Sequence, residues 1–273
     1  MRLFPCGFLD THASAAQMRH DTMSLFGRAP MTSIQAIPDL DSRRDWPAAL
    51  RALKSLLRDG SDTVQVFRIM RALNAGNSRR NYLRLIKTRE GGRIAYDRAE
   101  LSVRFGDRAL LGAFASGTVG AAYREFVEQS GYSAKGLADI SNLEAVAPEL
   151  QHPYSWFGRR ERDIHDVWHI LTGYKTDDLG EACLVAFSYA QTKGLGWAVI
   201  AAGSALDSLK YPYRKAWCRA VWEGYRNGKR AKWLSGEEYL ELLTEPLAEA
   251  RRRLNIPEPR NYIEAKRVLP ANV

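Results

Sequence analysis

The chain has 273 residues, with 40 Lys+Arg against 31 Asp+Glu, a formal net charge of +9, 45% apolar residues and 26% charged ones. That balance excludes wholesale disorder, a collagen-like chain and a low-complexity chain, and the length suffices for a sizeable core. Three cysteines, Cys6, Cys183 and Cys218, are odd in number and widely spaced, which excludes a disulfide framework and a Cys-type zinc ribbon and fits a reducing compartment. The basic surplus favours acidic partners. Its densest runs, Arg79-Arg80, Arg159 to Arg162 and Arg251 to Arg253, are too short for a basic tail. Aromatic residues do not interleave with them, so an anionic membrane surface is expected and nucleic acid is not.

Residues 1–40 carry no sustained period and read as a mobile arm, a targeting segment or an over-long start, with true initiation at Met23 or Met31. Met1 to Leu9 is a poor secretory signal, its short apolar run broken by Pro5. Helical signals then dominate. Asp45 can cap a helix from Trp46 with Leu50, Leu53 and Leu57 on one face and Gly60 closing it. Asp62 opens a second helix, with Val66, Phe67, Met70 and Leu73 inward and Gly76 as its stop. A third runs from Ser78 to Lys87, Glu90-Gly91-Gly92 reads as a turn, and Ile94 to Phe105 is either extended or a short helix. Gly117-Thr118 starts a helix through Gln129 with Val119, Tyr123, Phe126 and Val127 on one face. A short helix over Leu143 to Leu150 is broken by Pro148.

Further helices are predicted over Ser155 to Thr172, Asp177 to Lys193, Trp197 to Leu209, Tyr213 to Asn227, Ser235 to Thr244 and Leu247 to Leu254. Ser235 and Glu238 have capping-box spacing. Pro257 and Pro259 begin a loose tail. The apolar stretch Ala182 to Ala202 carries Gln191, Thr192 and Lys193 at its middle, so it reads as a buried or interfacial helix rather than a membrane span. The expectation is an all-α fold: a single compact multi-helix domain that binds metal over 41–256, a loosely ordered arm over 1–40 and a tail over 257–273.

The segment that carries chemistry runs from Arg160 to Glu181. His165 and His169 are four apart and project from one face of a helix. Chance alone supplies such a pair in about 7% of chains with this histidine content, so the neighbours decide its meaning. Asp166 is rotated by about 100° from His165 and reaches a shared ion only off the midline of the imidazoles. Glu181 lies beyond Gly173 on the next helix and can face both imidazoles if Gly173 to Thr176 turns the chain back. Two nitrogens and up to two carboxylates suit zinc or non-haem Fe(II) better than magnesium. A peptidase reading is weak, because the second motif position is Asp and no His follows His169. A His-Asp metal phosphohydrolase would use His165-Asp166 as its dyad and His152 upstream, but His169 is not part of that pattern.

His165-Asp166-x-x-His169, eleven residues, then Glu181 resembles the signature of the coenzyme Q (ubiquinone) biosynthesis protein four family. Arg160-x-Arg162-Asp163-Ile164 precedes it as that family's Arg-x-Arg-Glu-Val does, with Asp163 in place of Glu. Gly117-Thr118-x-Gly120-x-x-Tyr123-x-x-Phe126, Trp222-Glu223-Gly224-Tyr225-x-x-Gly228 and Arg251-x-x-Leu254-x-Ile256-Pro257 are also similar, so the resemblance covers residues 45–258. It implies a helical fold and a divalent metal, zinc first and Fe(II) second, held by His165, Asp166, His169 and Glu181, which would be the catalytic residues. It implies removal of the ring carbon 1 carboxyl of a polyprenylated 4-hydroxybenzoate intermediate, with hydroxylation at that carbon. The alternative is a non-catalytic lipid-binding scaffold. The implied partners are that polyprenylated aromatic acid, an anionic membrane surface, other ubiquinone biosynthesis proteins and a second copy of the chain. The implied place is peripheral, on the cytoplasmic face of a bacterial inner membrane or the matrix face of the mitochondrial inner membrane.

Within that reading, Arg162 would hold the substrate's carboxylate, and Asp163 would orient the second nitrogen of His169 or pair with Arg160. Phe187, Tyr189, Trp197, Val199 and Ile200 would start an apolar groove for the tail, or simply pack as core. Gly194 and Gly196 would let helices approach closely, let a lipid lie flat, or make a plain turn.

Overall fold

The computed structural model describes residues 44–59, 62–74, 76–130 and 152–270. The predicted arm over 1–40 and the predicted helix Leu143 to Leu150 lie outside them. The fold is all-α: the described residues contain no strand, only one isolated bridge between Thr118 and Pro246.

Helix α1 (Trp46–Leu56) begins as predicted, with the Asp45 side chain accepting from the Ala48 N–H at 2.9 Å. Its inward face is rotated from the predicted one. Ala49, Ala52 and Leu56 are buried, while Leu50 and Leu57 are exposed. The two alanines let α1 lie close against α2 (Thr63–Leu73), whose innermost residue is Ile69 rather than Val66 or Phe67. α3 (Asn77–Leu85) follows.

The predicted turn at Glu90-Gly91-Gly92 is instead the first turn of α4 (Arg89–Asp97). Thr88 caps it, accepting from the Gly91 N–H at 3.0 Å. Gly91 is there for close approach, since a Cβ would sit 2.0 Å from the Leu85 carbonyl oxygen. The ambiguous stretch to Phe105 resolves into the end of α4 and a short α5 (Leu101–Phe105), and α6 (Arg108–Gly112) was not predicted. Asp107 starts α6, accepting from Ala109 and Leu110 N–H groups.

α7 (Val119–Ser130) starts at Gly117-Thr118 as read. The Val119 and Gly120 N–H groups donate to the Glu245 and Leu243 carbonyls, so this is a plain helix start that offers no anion site. The predicted helix Ser155 to Thr172 is two helices, α8 (Pro153–Asp163) and α9 (His165–Thr172), parted at Ile164.

Helix α10 (Asp178–Thr192) is buried except at Asp178, Glu181 and Tyr189. It packs against α11 (Leu195–Ser208) and α12 (Arg214–Arg230). Gly224 and Gly228 make the second contact possible. A Cβ at Gly224 would lie 2.4 Å from the Cys183 carbonyl oxygen, and one at Gly228 would lie 2.6 Å from that of Phe187.

The predicted capping box at Ser235 does not form. Leu234–Gly236 is a 3-10 turn whose Ser235 hydroxyl donates to Glu161 Oε1 at 3.3 Å. Glu238 caps α13 (Tyr239–Leu242) by accepting from the Leu240 N–H. α14 (Leu247–Arg253) agrees with prediction. Beyond Pro259 the expected loose tail contains α15 (Arg260–Lys266), docked on α12 through buried Tyr262 and Ala265.

The main core gathers around α9 and α10, with Ile164, Val167, Trp168, Leu171, Leu179, Cys183, Leu184 and Phe187 almost fully excluded from solvent. A second cluster lies between α1, α2 and α11. Full burial of one such side chain stabilises the fold by about 1.5–3 kcal/mol. Phe187 belongs to the main core, and Val199 and Ile200 pack on the second cluster. The glycines before them serve close approach: Gly196 donates its N–H to Asn74 Oδ1 at 2.9 Å, and a Cβ there would meet Met70 Sδ at 2.6 Å.

Candidate metal centre

The break at Ile164 ends α8 and lets α9 begin at His165, so both histidines ride one short helix. Gly173, with φ +80°, stops α9 in the left-handed conformation that glycine adopts without strain. The chain then turns, and Asp177 restarts it as α10 by accepting from the Gly180 N–H at 3.0 Å. Glu181 falls in the first turn of that helix.

These elements bring His165, His169 and Glu181 together. One ligand atom from each lies within 4.8 Å of the others. His169 Nε2 is 3.2 Å from Glu181 Oε1, and His165 Nε2 is 3.8 Å from Glu181 Oε2. Asp166 stands outside that group. It is buried, close enough for its charge to act on both imidazoles and on Glu181. Three of the four expected ligands therefore converge and the fourth flanks them.

The tautomer of His169 is set by its surroundings. Nδ1–H donates to the Tyr174 carbonyl at 3.1 Å, so Nε2 is the nitrogen that faces Glu181. Phe126 stacks on the same ring, centroids 5.7 Å apart. His165 Nδ1 is buried and has no hydrogen-bond partner among the described residues, and its ring lies flat on Trp197.

His169, Glu181 and Asp166 act strongly on one another by charge. Burial works against the Glu181 carboxylate, yet the two imidazoles outweigh it and keep that carboxyl far below the usual range. Burial likewise disfavours charged His169, but Glu181 and Asp166 hold its pKa above the ordinary value. Burial pushes the Asp166 carboxyl up, and His165 and His169 partly offset this. Two imidazoles and a carboxylate, aimed at one point with one imidazole braced from behind, fit a divalent cation.

Several sequence expectations change. Arg162 does not stand open for a substrate carboxylate: it pairs with buried Asp163 at 2.7 Å. Asp163 orients neither His169 nor Arg160, and it also accepts from the Ser102 N–H at 3.0 Å. His152 caps α8, its Nδ1 accepting from the Tyr154 N–H at 3.2 Å, and does not join the cluster. Sequence reasoning missed Tyr174, because a backbone carbonyl leaves no trace in residue identity. It also missed Phe126 as a neighbour of His169, although its place on the inward face of α7 was readable. Tyr123 on that same face is buried, its hydroxyl without a hydrogen-bond partner among the described residues, and burial raises its pKa, with Asp166 and Asp163 adding to the effect.

The profile described as coenzyme Q (ubiquinone) biosynthesis protein Coq4 matches residues 70–260. A Danio rerio protein named as a mitochondrial ubiquinone biosynthesis protein COQ4 homolog is 28% identical over 62% of this chain and 60% of its own length. A Yarrowia lipolytica protein named mitochondrial ubiquinone biosynthesis protein COQ4 is 27% identical over 67% of this chain and 68% of its own. The chain thus spans about three fifths of the first of these relatives. A solved structure from Nostoc punctiforme, provisionally named for ubiquinone biosynthesis, shares the fold with a TM-score of 0.59, 22% identity, and coverage of 79% of this chain and 100% of that one. With the profile spanning well over half of its residues, the chain belongs to the coenzyme Q (ubiquinone) biosynthesis protein Coq4 family.

Proposed function

We propose that this chain is a metal-dependent enzyme of ubiquinone biosynthesis, removing the ring carbon 1 carboxyl of a polyprenylated 4-hydroxybenzoate intermediate, with hydroxylation at that carbon, at a membrane face. The observation that carries this reading is the convergence of His165, His169 and Glu181, with His169 braced by the Tyr174 carbonyl. Asp166 flanks them, and its charge acts on both imidazoles. Zinc is the first choice of ion and Fe(II) the second.

A bound cation would supply positive charge that attracts the substrate's carboxylate and accepts electron density as CO2 leaves. The residues around it do the rest. His169 is deep, with its side chain 2% exposed, whereas the Glu181 side chain is 44% exposed, so the donor set opens to solvent on the Glu181 side. Phe126 and Trp197, stacked on the two imidazoles, give the donor set an apolar surround. Loss of CO2 leaves an electron pair on ring carbon 1. In simple decarboxylation a proton takes its place. In the hydroxylating version O2 is the oxidant: one atom goes to the ring and the other leaves as water, with two electrons from an external reductant.

The membrane part rests on the end of α11. Leu206 and Leu209 are 67% and 53% exposed, Tyr211 is exposed beside them, and Lys210, Arg214, Lys215 and Arg219 lie within the next ten residues. An apolar tip with a basic collar suits an anionic bilayer surface. No described helix is long and apolar enough to cross a membrane. The scaffold reading draws on a different feature, Trp222, which is 60% exposed and packs on Tyr225 where a protein partner could cover it.

The test is to strip the protein of metal, refill it with zinc or iron, and follow the polyprenylated acid by mass spectrometry. The expected result is activity that depends on the added metal and is lost in His169→Ala along with metal content. Equal anaerobic activity with both ions would remove the O2-dependent version. A folded His169→Ala protein that still supports quinone synthesis in cells would establish the scaffold instead.

A further inference from the structure

The two imidazoles of the candidate centre are held by different means. His169 has the usual arrangement, its remote nitrogen donating to a backbone carbonyl at 3.1 Å. His165 has no counterpart to that bond, since its Nδ1 is buried without a partner among the described residues. What it has is Trp197. The indole and imidazole rings lie 3° from parallel, with centroids 5.4 Å apart. The His165 ring in turn stands at 90° to that of His169, with centroids 5.2 Å apart. Glu181 selects the edge of the His165 ring, since Nε2 is the nitrogen 3.8 Å from its carboxylate.

Resting on the cation reading above, we infer that Trp197 is a positioning residue that fixes the plane of the His165 imidazole and so replaces the hydrogen bond that orients a ligating histidine. The indole packs against the main core, and the backbone beside it is fixed. Gly196, next to it, is tied to the end of α2 by the bond from its N–H to Asn74 Oδ1 at 2.9 Å, and a Cβ there would lie 3.2 Å from the Met70 Cα. A Cβ at Gly194 would also lie 3.0 Å from the Asn74 Nδ2. A residue two helices away in sequence thereby sets the angle at which one donor meets the ion. Phe126 stacks on His169 less closely, at 22° and 5.7 Å, on a ring already fixed by Tyr174.

The test compares full-length wild type, Trp197→Phe and Trp197→Leu, each stripped of metal and titrated with Co2+. Affinity is read by calorimetry and ligand geometry by visible absorption. Leucine fills space without a flat face, whereas phenylalanine keeps one. The expected result is binding about tenfold weaker in Trp197→Leu, with an altered Co2+ spectrum, and near wild-type behaviour in Trp197→Phe. A Trp197→Leu protein that matches wild type in both affinity and spectrum overturns the inference and leaves the cation reading standing. Failure of wild type to bind Co2+ overturns both. Should Trp197→Leu not fold, Co2+ quenching of tryptophan fluorescence serves: it is expected to be large in wild type and to fall in Trp197→Phe, and equal quenching in the two overturns the inference.

Discussion

Helices α10 and α11 are successive, similar in length and both rich in apolar residues, yet they end in opposite environments. α10 is wrapped on every side by α9, α11, α12 and the 3-10 turn, and only Asp178, Glu181 and Tyr189 escape burial. α11 buries Gly196, Ala201, Gly203 and Ser208 but leaves Leu206 exposed within the helix and Leu209 exposed just after it. Composition therefore does not tell a core helix from one with an apolar face left for something else. The difference comes from the neighbours, in particular from Gly224 and Gly228, which bring α12 against the backbone of α10.

The largest effect should come from undoing that approach. Gly224→Val places a side chain where a Cβ already meets the Cys183 carbonyl at 2.4 Å, and a loss of about 3 kcal/mol is expected in urea unfolding. An unchanged midpoint would mean that α12 slides off α10 freely. Next is the exposed face of α11. Leu206→Ser with Leu209→Ser should leave stability within about 0.5 kcal/mol while lowering affinity for anionic phospholipid vesicles about tenfold per leucine. Equal binding by the double variant, or binding indifferent to lipid charge, would break the contrast between the two helices.

The most gradual effect concerns the network at the end of α10. Asn81 donates both to the Thr192 carbonyl there and to Glu161, whose carboxyl burial pushes up to about 8 despite bonds from Ser235 and Asn81. The folded protein then keeps a proton on Glu161 in a range where the unfolded chain has released it. Stability should fall as pH rises from about 4.5 to about 8. Glu161→Gln should flatten that fall, with its gain greatest at the upper end. Parallel thermal-melting curves for the two proteins across this range would show that Glu161 is not the group concerned.

Helix positions were mostly legible, because capping residues such as Asp45 and Asp177 and stops such as Gly173 act through local chemistry. The meeting of His165, His169 and Glu181 was legible for the same reason, one helical turn and one glycine stop. The inward face of α1 was not. The sequence pattern favoured the leucines, whereas close packing selected Ala49 and Ala52. Gly91-Gly92 read as a turn because the tight contact with the Leu85 carbonyl comes from tertiary packing. The pairing of Arg162 with Asp163 and the capping role of His152 likewise depend on which alternatives the fold leaves within reach.

The turn from Gly173 to Asp177 sets the angle between the helix that carries both histidines and the helix that carries Glu181. Its brace comes from α15, where the Tyr262 hydroxyl donates to Asp177 at 2.7 Å, 85 residues further along the chain, and accepts from the Lys175 N–H. A chain leaving the ribosome therefore holds all three donors long before it holds the part that sets their bearing. The bearing of the three donors is then coupled to the docking of α15, and damage to that helix becomes damage to the cluster.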